Sequence, residues 1–232
     1  MNLNTAKVII TGGSTGIGYE TARQLISKGA KVVICSRNKS EIERAAQEIG
    51  AIGLQADISN EDEVKALFKE ANEKLGGLNV LINNAGIGYL APLTETSEAD
   101  FSRIWETNVK GVFLVGKEAA NHFIPQNEGN IVNISSTAGQ KGFATGTAYC
   151  ASKFAVSAMT ECWRAELRKN NIRVMQVNPS EVVTPFGTKL GYEAQNVDSK
   201  LKPSEIAHTI VSMLEMDNVG FITDATVWAT NP

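Results

Sequence analysis

The sequence predicts an α/β fold: a doubly wound parallel sheet of about seven strands with helices on both faces. Three observations predict it. Short apolar runs alternate with amphipathic stretches from end to end, in units of about 30 residues. The apolar runs show little internal alternation, as expected of strands buried on both faces. A glycine-rich turn, Gly12-Gly13-Ser14-Thr15-Gly16-Ile17-Gly18, stands between the first run and the first helical pattern.

Each element has a local justification. Val8-Ile9-Ile10 is a short β-branched strand ended by Gly12-Gly13, and a helix runs from about Gly16 to Lys28 and stops at Gly29. Lys31 to Cys35 is the second strand; Asn38 or Ser40 caps the next helix, which ends near Gly50. Ile52 to Ala56 is a weaker third strand, and Ser59 with Asp62 opens a helix through about Leu75. Leu78 to Ile82 and Asn130 to Ile134 are the fourth and fifth strands, with a helix from roughly Ser102 to His122 between them. A helix over 147–169 precedes the sixth strand, Ile172 to Val177. Pro203-Ser204-Glu205 opens a late helix, and Gly220 to Thr223 starts a seventh strand. No linker or repeat divides the chain, so residues 1–232 are expected to form one domain. The least patterned stretch, about 184–202, follows a strand's C-terminal end and is expected to cover the substrate.

Composition narrows the function classes. The 232 residues carry a formal net charge of -3, which gives no basic footprint for nucleic acid. No apolar run approaches the roughly 20 residues that span a bilayer, and no membrane association is expected. Cys35, Cys150 and Cys162 are scattered, with neither metal-ligand nor disulfide spacing. No metal is expected, and the expected compartment is the cytoplasm.

The glycine turn points to a dinucleotide. Glycine lets the backbone approach a phosphate without a Cβ in the way, and the following helix offers free N–H groups and a positive dipole end. Gly12, Ser14, Thr15, Gly16, Ile17 and Gly18 are the candidate contacts. The second strand indicates which dinucleotide. NAD sites place an acid near its end for the ribose 2′-OH. Here the strand ends Cys35-Ser36-Arg37-Asn38. Ser36 and Arg37 suit a 2′-phosphate, because guanidinium pairs with phosphate through two strong bonds. The expected cofactor is NADP(H). Asp57-Ile58 and Asn83-Asn84-Ala85-Gly86 follow the third and fourth strands and belong to the same cleft.

Tyr149 and Lys153 stand four apart on a predicted helix, one turn from each other on one face. A phenol has a reference pKa of about 10, and a fixed cation beside it favours the phenolate, so the pair can exchange a proton with a substrate.

With these pieces in order, the chain resembles the short-chain dehydrogenase/reductase family over nearly its whole length. The matching residues are Thr11 to Gly18, Asp57, Asn83 to Gly86, Asn108, Ser136, Tyr149 with Lys153, and Asn178-Pro179. The resemblance implies a Rossmann-type fold and a catalytic tetrad of Asn108, Ser136, Tyr149 and Lys153. In it, Tyr149 exchanges the proton, Ser136 steadies the carbonyl oxygen, and Lys153 lowers the tyrosine pKa and holds the nicotinamide ribose. Asn108 supports a water that links Lys153 to solvent. It further implies that Asn84, Ala85, Gly86, Pro179 and Thr184 contact the cofactor. Spacing to the tyrosine favours Ser136 over Ser135, whose side chain points to the other side of the strand. Two departures stand out: Ser180 replaces the family's usual glycine, and the tail Val227-Trp228-Ala229 lacks its glycine-rich ending.

The reading that follows is reduction of a carbonyl, a ketone or a 3-oxoacyl thioester, to an alcohol by a homodimer or homotetramer. The variable loops around 87–96, 138–147 and 184–202 set the substrate, with Tyr89 and Phe143 as apolar walls. The alternatives are an NAD-dependent alcohol dehydrogenase and a non-catalytic NADP(H)-binding regulator.

Overall fold

The computed structural model describes residues 1–189 and 197–231. Seven strands form one sheet: β1 (Lys7–Thr11), β2 (Lys31–Ser36), β3 (Ile52–Gln55), β4 (Val80–Asn83), β5 (Gly129–Ile134), β6 (Ile172–Pro179) and β7 (Asp224–Val227). Their order is β3-β2-β1-β4-β5-β6-β7, and every pairing is parallel. This is the Rossmann-type sheet the sequence predicts.

Among the described residues the helices are α1 (Gly16–Ser27), α2 (Lys39–Ile49), α3 (Glu61–Leu75), α4 (Glu98–Trp105), α5 (Val112–Gln126), α6 (Thr147–Leu167), the short α7 (Pro185–Lys189) and α8 (Pro203–Glu215). Two cores explain the unalternating strands. Ile10, Ile34, Ile82 and Val132 pack against Leu25, Ile42, Ile206 and Ile210 on one face. Ile9, Val33, Leu81 and Ile131 pack against Leu67, Phe68, Val115 and Phe123 on the other. Successive residues of one strand therefore feed opposite cores, and both must be apolar.

Local chemistry sets the ends. Asn38 caps α2 by accepting from the Glu41 amide, and Gly50 closes it in the left-handed region at φ +76°. The structure corrects three expected boundaries. The cap of α3 is Asn60, whose side chain accepts from the Asp62 and Glu63 amides; Ser59 instead donates to Asp57. The last strand begins at Asp224, four residues after the expected start at Gly220. The helix expected over 102–122 begins earlier, at Glu98, where the Ser97 Oγ accepts from the Asp100 amide at 3.0 Å. It is then interrupted by a π-helical turn, Glu106–Gly111, before continuing as α5. Such wide turns mark functional positions, and this one contains the fully buried Asn108.

No helix among the described residues is long and apolar enough to cross a membrane. No group of three or more potential metal-ligating side chains occurs among them.

Candidate active site

In an open parallel sheet the crevice lies at the strands' C-terminal ends, where the strand order reverses. Here the reversal falls between β1 and β4. Thr11, at the end of β1, stitches the two strands together: its Oγ1 accepts from the Asn84 and Ala85 amides, each at 3.0 Å. The Asn84 Nδ2 donates to the carbonyls of Thr11 at 2.9 Å and Gly12 at 3.1 Å. Asn84 is an expected cofactor contact, and its side-chain NH2 holds the glycine turn. Thr11 belongs to the matching motif but not to the expected cofactor contacts, and a hydroxyl at the last position of an apolar strand is the available signal.

The turn fits a dinucleotide phosphate. Gly12 has φ +66°, and a Cβ there would stand 2.9 Å from the Ala85 Cα. Gly16 has φ +59°, and a Cβ on Gly18 would stand 2.5 Å from the Gly12 carbonyl oxygen. Thr15, the N-cap of α1, makes no side-chain capping bond, and the first turn carries no acid. The N-terminal amides of α1 thus keep their capacity for an anion. Ser14 is half-buried within the same turn, and Ile17 anchors the start of the helix against the core.

The ends of β2 and β3 hold the second group of expected residues. The Ser36 hydroxyl donates to the Asn38 carbonyl at 3.3 Å. Arg37 is exposed, its carbonyl accepts from Gln55 Nε2 at 3.0 Å, and no acid pairs with its guanidinium among the described residues. The Asp57 Oδ1 accepts from the Ser59 amide and hydroxyl. Ile58 is buried, and its side chain reaches so close to Gly111 that a Cβ there would stand 2.8 Å away. Any contact from Ile58 to a nucleotide therefore falls to its backbone.

The tetrad residues assemble at the ends of β4, β5 and β6. The Ser136 hydroxyl stands on the Tyr149 side of the site and favours the phenolate. Ser136 is itself held by the Ala138 amide, which donates to its Oγ at 3.1 Å, and by the Pro179 carbonyl. Ser135 points the other way, donating to the Lys153 carbonyl at 3.1 Å, as the strand geometry requires. The Lys153 Nζ donates to the Ile134 carbonyl at 2.9 Å and lies 5.9 Å from the Tyr149 ring centroid. The Asn108 Nδ2 donates to the Ile87 carbonyl at 2.8 Å and to Ser152 Oγ at 3.0 Å, while its Oδ1 accepts from the Ile87 amide at 2.8 Å. The side chain of Asn108 is thus a clamp on the loop after β4, and does not itself touch Lys153. Gly86 closes the group: a Cβ on it would stand 3.3 Å from Asn108 Oδ1 and 3.6 Å from Lys153 Nζ.

Burial dominates the charge states of the pair. Lys153 was expected to lower the tyrosine pKa. Burial pushes the Tyr149 phenol up to about 12, with the Ser136 hydroxyl opposing in part. Burial also pulls Lys153 down to about 8. Desolvation disfavours the charged form of each group, and the ammonium's hydrogen bond goes to the Ile134 carbonyl.

Of the stretch expected to cover the substrate, residues 190–196 lie outside those described. Thr184 stands over the glycine turn: a Cβ on Gly16 would be 3.3 Å from Thr184 Cγ2. The Phe186 ring packs against that of Tyr149, with centroids 5.9 Å apart. Phe186 was missed by the sequence reading, because nothing local marks an aromatic within an unpatterned loop. The base of the stretch is closed by a bridge between Val182 and Leu201 and by an ion pair from Lys200 to Glu181. Ser180, at the usual glycine position, donates its amide to the Val227 carbonyl at 2.9 Å and lies outside the positive-φ region. The extra Cβ therefore introduces no backbone strain there.

Comparison with known proteins matches this geometry to one family. Residues 6–195 fit the family model for short chain dehydrogenases. The chain is 33% identical to a 3-oxoacyl-[acyl-carrier-protein] reductase of Thermotoga maritima, covering 96% of this chain and 95% of the relative. It is 35% identical to carbonyl reductase family member 4 of Xenopus laevis, over 89% of each. Among solved structures, a 3-ketoacyl-(acyl-carrier-protein) reductase of Brucella melitensis, complexed with NADH, superposes with a TM-score of 0.90 at 31% identity, over 96% of both chains.

Proposed function

The chain belongs to the short chain dehydrogenase family, and from that premise we propose that it is an NADP(H)-dependent reductase of ketones. The observation that carries the reading is the hydroxyl pair Ser136–Tyr149 standing beside a glycine cradle that fits a dinucleotide. The family's nicotinamide cofactor supplies hydride to the carbonyl carbon. Everything else falls to this chain's own side chains. Ser136 donates toward the carbonyl oxygen and stabilises the charge that develops on it. Tyr149 delivers the proton to that oxygen. A phenol pushed up to about 12 carries its proton through the physiological range, so a donor is in place for reduction, though the same burial makes it a weaker acid. Lys153 supplies a buried positive charge behind the pair. Phe186, Phe143 and Tyr89 give the mouth apolar walls, and the relatives' names favour a ketone or a 3-oxoacyl thioester as substrate.

The choice of NADP(H) over NAD(H) rests on Arg37 and Ser36. The free, exposed guanidinium at the end of β2 suits a 2′-phosphate, and no acid occupies that strand end. The NADH bound in the Brucella structure keeps the NAD reading alive for this fold. Two variants decide between the readings. Arg37→Asp is expected to move the ratio of kcat/KM for NADPH over NADH toward NADH; an unchanged ratio would sink the 2′-phosphate assignment. Tyr149→Phe is expected to retain cofactor binding, followed by fluorescence, and to lose roughly 10²–10⁴-fold in turnover. Full turnover in Tyr149→Phe would remove the catalytic reading altogether.

A further inference from the structure

Four residues before Tyr149 the backbone does something its sequence disfavours. The Gly146 amide donates to the Phe143 carbonyl at 3.2 Å, closing a four-residue turn over Phe143–Gly146. Its third residue, Thr145, has φ +68°, while Ala144 stays in the negative region. A single positive φ at the third position defines a type II turn, and that position calls for glycine or asparagine. A β-branched residue there is a genuine outlier. Such outliers persist where the surroundings over-determine them, and they gather at functional sites. The Thr145 hydroxyl answers part of the strain by donating to the Ala144 carbonyl at 2.5 Å.

The turn joins the two lips of the cleft. The Thr145 carbonyl accepts from the Ala91 amide at 2.9 Å, tying the loop after β4 to the loop after β5. Two residues before Ala91, Tyr89 is backed by a cation: the Arg103 guanidinium lies 5.9 Å from its ring centroid. On the other lip, the Phe143 ring lies over Gly146; a Cβ on Gly146 would stand 2.7 Å from Phe143 Cε2 and 2.9 Å from Cys150 Sγ. Phe143 and Tyr89 thus stand in the two loops that the bond from Ala91 to Thr145 ties together.

We propose that Thr145 is a positioning residue that fixes the spacing of the Phe143 and Tyr89 lips, and so selects ketones bearing an apolar group beside the carbonyl. This rests on the active-site reading above. The turn's backbone conformation performs the task, and the hydroxyl makes it tenable for threonine.

The test uses Thr145→Val, which keeps the shape and removes the hydroxyl, and Thr145→Gly, which suits the positive φ. Thr145→Val is expected to raise KM for bulky apolar ketones by about tenfold, with kcat, its pH profile and NADPH affinity within about twofold of wild type. Amide exchange at Ala91 should quicken in the same variant. Thr145→Gly should restore both KM and Ala91 protection, and should melt no lower than wild type. Thr145→Val with wild-type KM and wild-type Ala91 exchange would overturn the proposal, as would an equal loss of NADPH affinity. Should the wild-type protein reduce no carbonyl compound, the active-site reading fails; the Ala91 exchange comparison still decides whether the turn holds the two loops together.

Discussion

Tyr149 and Lys153 are shifted in opposite directions by the same cause, burial, and the two shifts set a pH window. In the proposed reduction the tyrosine must carry its proton, which it does at every pH below about 12. Lys153 must carry its charge, and that charge is present below about 8 and lost as pH rises through it. The kcat/KM for carbonyl reduction should therefore be level at neutral pH and decline above about 8. In Lys153→Arg, whose guanidinium stays protonated, any remaining activity should lack that decline. A wild-type profile flat to high pH would show that the lysine's charge plays no part. The tyrosine–lysine pair was legible because helical spacing alone puts residues i and i+4 on one face. The direction of the tyrosine shift was not legible, since desolvation depends on what covers the helix, including a Phe186 ring contributed from 37 residues further along the chain.

At the scale of elements, the π-helical turn between α4 and α5 carries the most weight. It holds Asn108 in the interior, where one side chain makes three hydrogen bonds to Ile87 and Ser152. Asn108→Ala leaves both backbone groups of Ile87 and the Ser152 hydroxyl without that partner, at a cost of about 2–3 kcal/mol. Thermal unfolding should shift down by roughly 5–10 °C. Asn60→Ala, which removes only the exposed cap of α3, should cost about 1 kcal/mol and leave activity unchanged. Equal shifts for the two variants would mean that the Asn108 clamp carries no special share. Strands, glycine stops and most caps could be read from the chain because their causes are local. The π turn could not, since one extra residue in a helical turn leaves the apolar pattern almost unaltered. Nor could the positive φ of Thr145, which is held by the Ala91 amide from a distant loop.

At the scale of the molecule, the sheet joins two halves: β3-β2-β1 with the glycine cradle, and β4-β5-β6-β7 with the tetrad. A dinucleotide lying across the strand ends would touch both, so its binding should stabilise the fold as a unit. At a hundredfold excess over Kd, NADPH should add about 2.7 kcal/mol, read as a rise in melting temperature that grows with the logarithm of its concentration. A melting curve indifferent to NADPH would contradict the cradle's assignment. The stitch from Thr11 to Asn84 bears on how the chain reaches this state. Its partners are 73 residues apart, and the strands on either side of the crevice are neighbours in space only after two intervening βα units have been laid aside. Closing so long a loop is entropically costly and comes late in a folding reaction. The cradle cannot exist in a half-folded chain, even one whose first glycine turn is already formed. Nucleotide binding is thus a reporter of completed folding, and a nascent chain gains the capacity to hold its coenzyme only after β4 has docked beside β1.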